Sequence, residues 1–458
     1  MIATNVKSPM TFLLAIVIIV GMFVWLNEDH VELKRTSGHS FNIKSWQTDK
    51  GAKVVFVQAK ELPMLDVQMV FDAGSARDGD LSGLASFTHQ MLDRGAGEWT
   101  TDQIAERTDS IGASIGGSAA RDMAVLSLRC LTDEAIQKKA LETLQAIVQQ
   151  PRFPESELER ERKQLMIALQ NQEQSPDEIA DKLFYKSLYG SHPYSTPVTG
   201  DKQSVQRLDR DKLVRFYKQY YVASNAVIAI VGDVDEVRAR EIAEQLTSAL
   251  PKGEKAKPVE AVPDLQKAIT VNHQHPSAQT HIMLGQPGMM RGDKDYFALY
   301  VGNHILGGSG FSSRIVDEVR EKRGLAYSSY SYFIPMRDKG PFLLGLQTKN
   351  TQAKEALKVL HETLDKFIKE GPTEAELEHA IKNITGGFPL RIDSNKDIVG
   401  YLAMLGFYDL PLNYLQTFNS NIKAVTREQI QKAFQSRVHP DRTITVMVGN
   451  LNSGKIKK

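Results

Sequence analysis

The chain has 458 residues, too many for one ordinary domain, so two or three are expected. Its 56 Lys and Arg nearly balance 55 Asp and Glu, which argues against a nucleic-acid partner and against a charged, disordered tail. The single cysteine, Cys130, excludes an internal disulfide and leaves the compartment open.

Met10 to Leu26 is almost continuously apolar. As a helix rising about 1.5 Å per residue it spans roughly 25 Å, workable for a ~30 Å hydrocarbon core with Trp25 at the interface. Lys7 precedes it, and Glu28, Asp29 and Glu32 follow. The charge asymmetry predicts a cytoplasmic segment 1–9, a transmembrane signal anchor 10–26 and a linker 27–40, with the body of the chain outside the cytoplasm. Phe23 to Asn27 lacks a small-x-small cleavage pattern, so the anchor is expected to remain. In a Gram-negative bacterium this means the inner membrane, with the body in the periplasm.

Strands are predicted within 40–59 and over 66–73, then a turn at 74–78 and a helix over 83–95. In that helix Leu84, Phe87, Met91 and Leu92 make a buried face, and Ser86, His89, Gln90 and Asp93 make a polar, solvated one. A helix over 101–111 follows, then glycines at 112, 116 and 117 and a strand over 123–130. Helices are expected over 134–149, 155–173, 179–188, 212–221 and 238–250, with a buried strand at 225–231. The proline- and lysine-containing stretch 251–266 reads as a linker between domains 41–250 and 267–458.

The second domain repeats the first. Pro154-Glu155-Ser156-Glu157-Leu158-Glu159 answers Pro372-Thr373-Glu374-Ala375-Glu376-Leu377-Glu378. The strand Ala226 to Gly232 answers Thr443 to Gly449 at a spacing of about 220 residues.

Gly83-Leu84-Ala85-x-Phe87-x-x-x-Met91-Leu92 resembles the metal helix of the pitrilysin/insulinase family of zinc proteases. The resemblance implies an α+β fold of two tandem homologous domains, each an antiparallel sheet with helices packed on one face. Residue by residue, the first family histidine falls on Ser86, the catalytic glutamate on His89 and the second histidine on Gln90. Glu159-Arg160-Glu161-Arg162 matches the start of the helix carrying the last ligand, which falls at or beside Ala168. Catalytic zinc normally takes three ligands from His, Cys, Asp and Glu. All three ligand positions and the base are therefore expected to be lost, with no metal in this chain.

A second stretch opens with Gly307-Gly308-Ser309-Gly310-Phe311-Ser312-Ser313-Arg314 and runs to Gly324-Leu325-Ala326-Tyr327. The glycines predict a flexible loop at Gly307, Gly308 and Gly310, which the resemblance would place near the substrate, and Gly324 suits a helix end. The segment is similar to the family's second signature, in which an arginine and a tyrosine seven positions apart donate to substrate carbonyls. Arg320 and Tyr327 match it; Arg323 has the wrong spacing. Gly190-Ser191-His192-Pro193 also resembles the family. His273 and His275 form a possible metal pair without a third ligand, and Glu378-His379 imitates H-x-x-E-H without its first histidine.

The resemblance thus implies a non-catalytic subunit. It would pair with a homologous H-x-x-E-H subunit that brings Zn2+, on a peptide or protein substrate. The alternative expectation is a catalytically inert peptide-binding or scaffold protein of a membrane-associated assembly.

Overall fold

The computed structural model of the chain describes residues 41–452. The segment 10–26 lies outside them, and among the described residues no helix is long and apolar enough to cross a membrane.

The first half contains β1 (Lys44–Gln47), β2 (Lys53–Gln58), β3 (Met64–Phe71), α1 (Leu84–Gln90), α2 (Thr101–Asp109), β4 (Ser114–Ala119) and β5 (Ala124–Leu131). It continues with α3 (Glu134–Gln149), α4 (Glu155–Gln172), α5 (Pro176–Tyr189), α6 (Lys202–Arg207), α7 (Arg210–Tyr220), β6 (Ala226–Gly232) and α8 (Glu236–Thr247). The second half has β7 (Ile269–Gln274), β8 (Gln279–Pro287), α9 (Tyr296–Asn303), α10 (Arg314–Val316), β9 (Ala326–Phe333) and β10 (Pro341–Lys349). It closes with α11 (Ala353–Glu370), α12 (Glu374–Gly387), α13 (Asn395–Phe407), α14 (Tyr414–Lys423), α15 (Arg427–Arg437) and β11 (Ile444–Gly449). Local sequence sets many helix starts: Thr100 with Gln103, Thr373 with Glu376 and Thr426 with Gln429 close reciprocal capping boxes.

One sheet runs β1-β2-β6-β3-β5-β4 and the other β7-β11-β8-β10-β9. Without β1 the two orders match strand for strand, so β6 and β11 occupy equivalent places, as do β3 and β8. Two expectations need correction. The sheets are not wholly antiparallel: β2 pairs with β6, and β7 with β11, in parallel. Nearly the whole half lies between the two strands of each pair, ample length for the crossover that parallel pairing requires. Nor are helices confined to one face. Every residue of β6 and β11 is buried, so both faces of each sheet need a cover.

The second cover is exchanged between halves. Helix α13 lies on the first sheet, where Leu402, Leu405 and Ile398 join one apolar cluster with Val55, Val70, Val227 and Ala229. It approaches so closely that a Cβ on Gly406 would come within 2.4 Å of Val227 Cγ1. Helix α5 lies on the second sheet, with Phe184 packed over Gly285 and clustered with Val446 and Val448. A buried carboxylate ties the halves as well. Asp122 accepts from the Tyr194 hydroxyl at 2.6 Å, the Arg337 amide at 2.7 Å and the Tyr408 hydroxyl at 2.9 Å. Burial, then the neighbouring carboxylate, pushes both phenols up, so they remain donors.

The segment 251–266 has neither helix nor strand, yet it is strapped down. Ala256 donates to Asn225 Oδ1, Lys257 carbonyl accepts from Arg77, and Glu260 carbonyl meets His192 Nε2 at 2.8 Å. His192 also accepts from the Tyr194 amide, so the Gly-x-His-Pro word here serves the fold.

Candidate functional site

Helix α1 is shorter than predicted, seven residues, and Asp78 holds its start. The two carboxylate oxygens accept from the Gly83 and Ala85 amides at 2.7 Å each. Burial pushes this carboxyl up to about 8, against the two amides that pull it down.

Ser86 and Gln90, one turn apart, share a face toward α4. Gln90 Nε2 donates to Glu161 Oε2 at 2.6 Å, and Arg94 Nε donates to Glu161 Oε1 at 2.8 Å. Arg160 adds a contact at 3.1 Å, and Glu161 is buried. Sequence reasoning passed over Glu161 as a functional position. The available signal was its spacing of seven residues from Ala168, two helical turns along the same face of α4. Ala168 itself is exposed and offers only a methyl group.

The expected solvated position of His89 is wrong: it is 6% exposed. Ser86, Gln90 and Asp93 on the same side are partly exposed, whereas α7 and β4 pack against the helix and His89 is buried. Its Nδ1 lies 3.1 Å from the Tyr221 hydroxyl, and the ring bonds the Val125 backbone. Burial lowers its pKa to about 4, so it is neutral near pH 7. Neutral and buried, the ring is not exposed to water as a general base would be. A hydroxyl, a carboxamide and a methyl do not make a zinc set. Among the described residues no group of three or more His, Cys, Asp or Glu could hold a metal ion.

The other constellation is brought together. After α10 a wide helical turn, Asp317–Glu321, carries Arg320, and Gly324 (φ +60°) turns the chain into β9. Tyr327 is 80% exposed near the start of that edge strand, and its hydroxyl makes no hydrogen bond among the described residues. The Arg320 guanidinium carbon lies 4.7 Å from the Tyr327 ring centroid and 4.7 Å from that of Phe311. Arg323 is committed elsewhere, to the Glu318 carbonyl and carboxylate.

The expected flexible glycine loop is only partly that. Gly307 is buried, Gly308 packs on Asn303, and both belong to a wide helical turn, His304–Gly308, that extends α9. A Cβ on Gly307 would meet Ser331 at 2.5 Å, so this glycine permits close packing. Only Gly310 (φ +64°) stands in open space. His273 is exposed at an edge strand, and His275 Nδ1 accepts from the Ser277 amide.

The two α+β halves interlock, and the helix pair α1 and α4 presents no zinc-holding set at the expected ligand positions among the described residues. Comparison with known proteins agrees. Residues 53–202 match the family model described as insulinase (peptidase family M16), and residues 207–384 match that described as peptidase M16 inactive domain. An uncharacterized zinc protease, YmxG, of Bacillus subtilis is 26% identical over 77% of this chain and 85% of its own length. A non-peptidase homolog, YmxG, of Helicobacter pylori is 24% identical over 88% of this chain and 93% of its own. The crystal structure of a peptidase M16 inactive domain from Pseudomonas fluorescens is 39% identical and covers 89% of this chain and 98% of its own, with a TM-score of 0.87. The chain belongs to the insulinase family, peptidase family M16, as a non-catalytic member.

Proposed function

We propose that this chain is the non-catalytic subunit of a heteromeric zinc-dependent peptidase and supplies Arg320 and Tyr327 to the partner's site. The observation that carries the reading is an asymmetry. Of the positions that would hold metal and base, His89 and Gln90 are tied into internal hydrogen bonds and Ser86 and Ala168 offer only a hydroxyl and a methyl, whereas the two donors stand together with Tyr327 exposed. The homologous H-x-x-E-H partner would bring zinc and the general base.

The Tyr327 hydroxyl and the Arg320 fork would donate to carbonyl oxygens of the bound peptide beside the scissile bond. Fixed donors of this kind favour the charge that builds on oxygen as the tetrahedral intermediate forms. Strand β4 suits an extended peptide. It is a sheet edge of sequence Ser-Ile-Gly-Gly-Ser-Ala with no charge to repel an added strand. In the same reading the segment 10–26 anchors the complex in a membrane with the site on the far side from the cytoplasm, which in a Gram-negative bacterium is the periplasmic side of the inner membrane.

The test is a peptidase assay on the purified chain, alone and mixed with an H-x-x-E-H relative from the same cell, with zinc measured in both. Neither zinc nor activity alone, with activity on mixing, supports the proposal. Stoichiometric zinc with activity in the isolated chain would overturn it. Inactivity in every mixture would overturn the donor role and leave the peptide-binding scaffold.

A further inference from the structure

Phe311 is 72% exposed, an unusual place for a phenylalanine. It stands beside an equally exposed ring, Tyr327, and between the two lies the Arg320 guanidinium. The burial runs opposite to expectation. The aromatic rings face water, while the cationic side chain they flank is only 28% exposed.

We propose that Phe311 is the positioning residue for Arg320, stacking on its guanidinium so that the N–H edge points outward to the peptide. This rests on the donor role given above to Arg320. A planar guanidinium with rings against it keeps its in-plane donors available, whereas an ion pair would consume them. The ion pair that Arg320 does make, Nε to Glu321 Oε1 at 3.4 Å, is long and exposed, and directs the side chain weakly. The two rings are therefore what orients it.

The loop that carries Phe311 is itself held. Gly310 turns the chain with φ +64°, and the Ser313 hydroxyl donates back to the Gly310 carbonyl at 2.7 Å. One residue on, Arg314 is clamped to α12. Its Nε and Nη2 donate to the two Glu376 oxygens at 2.6 Å each, and Nη2 reaches the Gly371 carbonyl at 2.9 Å. The Glu376 carboxyl is held at about 2, so the clamp stays ionised across the pH range of an assay. The loop that carries Phe311 is thus pinned just beyond the ring, and Phe311 fills no core.

The test uses the full chain mixed with its H-x-x-E-H partner and compares Phe311→Ala, Phe311→Leu, Phe311→Trp and Arg320→Ala. Side-chain Nε–Hε NMR order of Arg320 is measured in the chain without the partner. Phe311→Ala is expected to loosen Arg320 and to lower kcat/KM about two- to fivefold, with kcat falling and KM little changed. Phe311→Leu should behave like Ala, because it keeps bulk without a π face, and Phe311→Trp should restore both readouts. An ordered Arg320 in Phe311→Ala, or wild-type behaviour of Phe311→Leu, would overturn the positioning role. If Arg320→Ala leaves the complex fully active, the donor reading fails instead, while the NMR result still decides whether Phe311 orients Arg320.

Discussion

At His89 the imidazole Nδ1 pairs with the Tyr221 hydroxyl and the ring meets the Val125 backbone. Its folded pKa of about 4 lies below the unfolded value of about 6.5. Between these values the unfolded chain binds more protons, so this residue's contribution is complete above pH 6.5 and is lost as pH falls toward 4. Asp78 titrates in the opposite sense, so the difference between wild type and His89→Gln is the proper readout. Urea unfolding should show that difference shifting by up to about 3 kcal/mol in favour of the variant between pH 7 and 4; a pH-independent difference would refute the assignment. Glu161 gives a second residue-scale test. Arg94→Ala leaves a buried carboxylate with Gln90 and Arg160 as its remaining partners, and should cost about 1–3 kcal/mol, part of it recovered in the Arg94→Ala/Glu161→Ala double variant. Arg320→Ala and Tyr327→Phe should each lower turnover of the complex by about tenfold or more without dissociating it; unchanged turnover with both would remove the donor role. Ser86, Gln90 and Ala168 were legible because ligand chemistry is read one side chain at a time. The burial of His89 was not, since the groups around it, Tyr221 and Val125, come from distant elements.

Among the elements, α5 and α13 carry the most weight. Phe184 is fully buried against a sheet of the other half, so Phe184→Ala should cost about 3–5 kcal/mol. Leu402→Ala should cost about 2–5 kcal/mol from the opposite side of the exchange. Each variant should still melt in one transition by calorimetry; two resolved transitions would show that the halves fold separately. The repeat was visible in sequence because β6 is a short, wholly apolar run and β11 a short run apolar but for Thr445, each following a capped helix. The exchange was not visible, since an apolar run states that both faces are covered and not what covers them. Strand β4 was overlooked for a different reason. Its two glycines read as a loop, because glycine is poorly suited to strands, and only pairing with β5 makes it one.

At the scale of the whole molecule, the chain itself supplies partners for its buried carboxylates. Glu161 has Arg94 as its cation, α1 has Asp78 at its start, and the halves share apolar faces and the Asp122 knot. Thermal midpoints are therefore expected to be the same with and without a strong chelator; a fall of several degrees on chelation would reveal a metal that holds the fold. The reciprocal loan of α5 and α13 has a further consequence for a chain cut in two. A single nick within 251–266 separates the polypeptide but neither sheet from its borrowed cover, so the two pieces should still migrate together and remain folded. Each piece made alone would lack one cover, expose a broad apolar sheet face and tend to aggregate. Produced together, the fragments should find each other and reassemble, as a lock does when both parts hold the other's key.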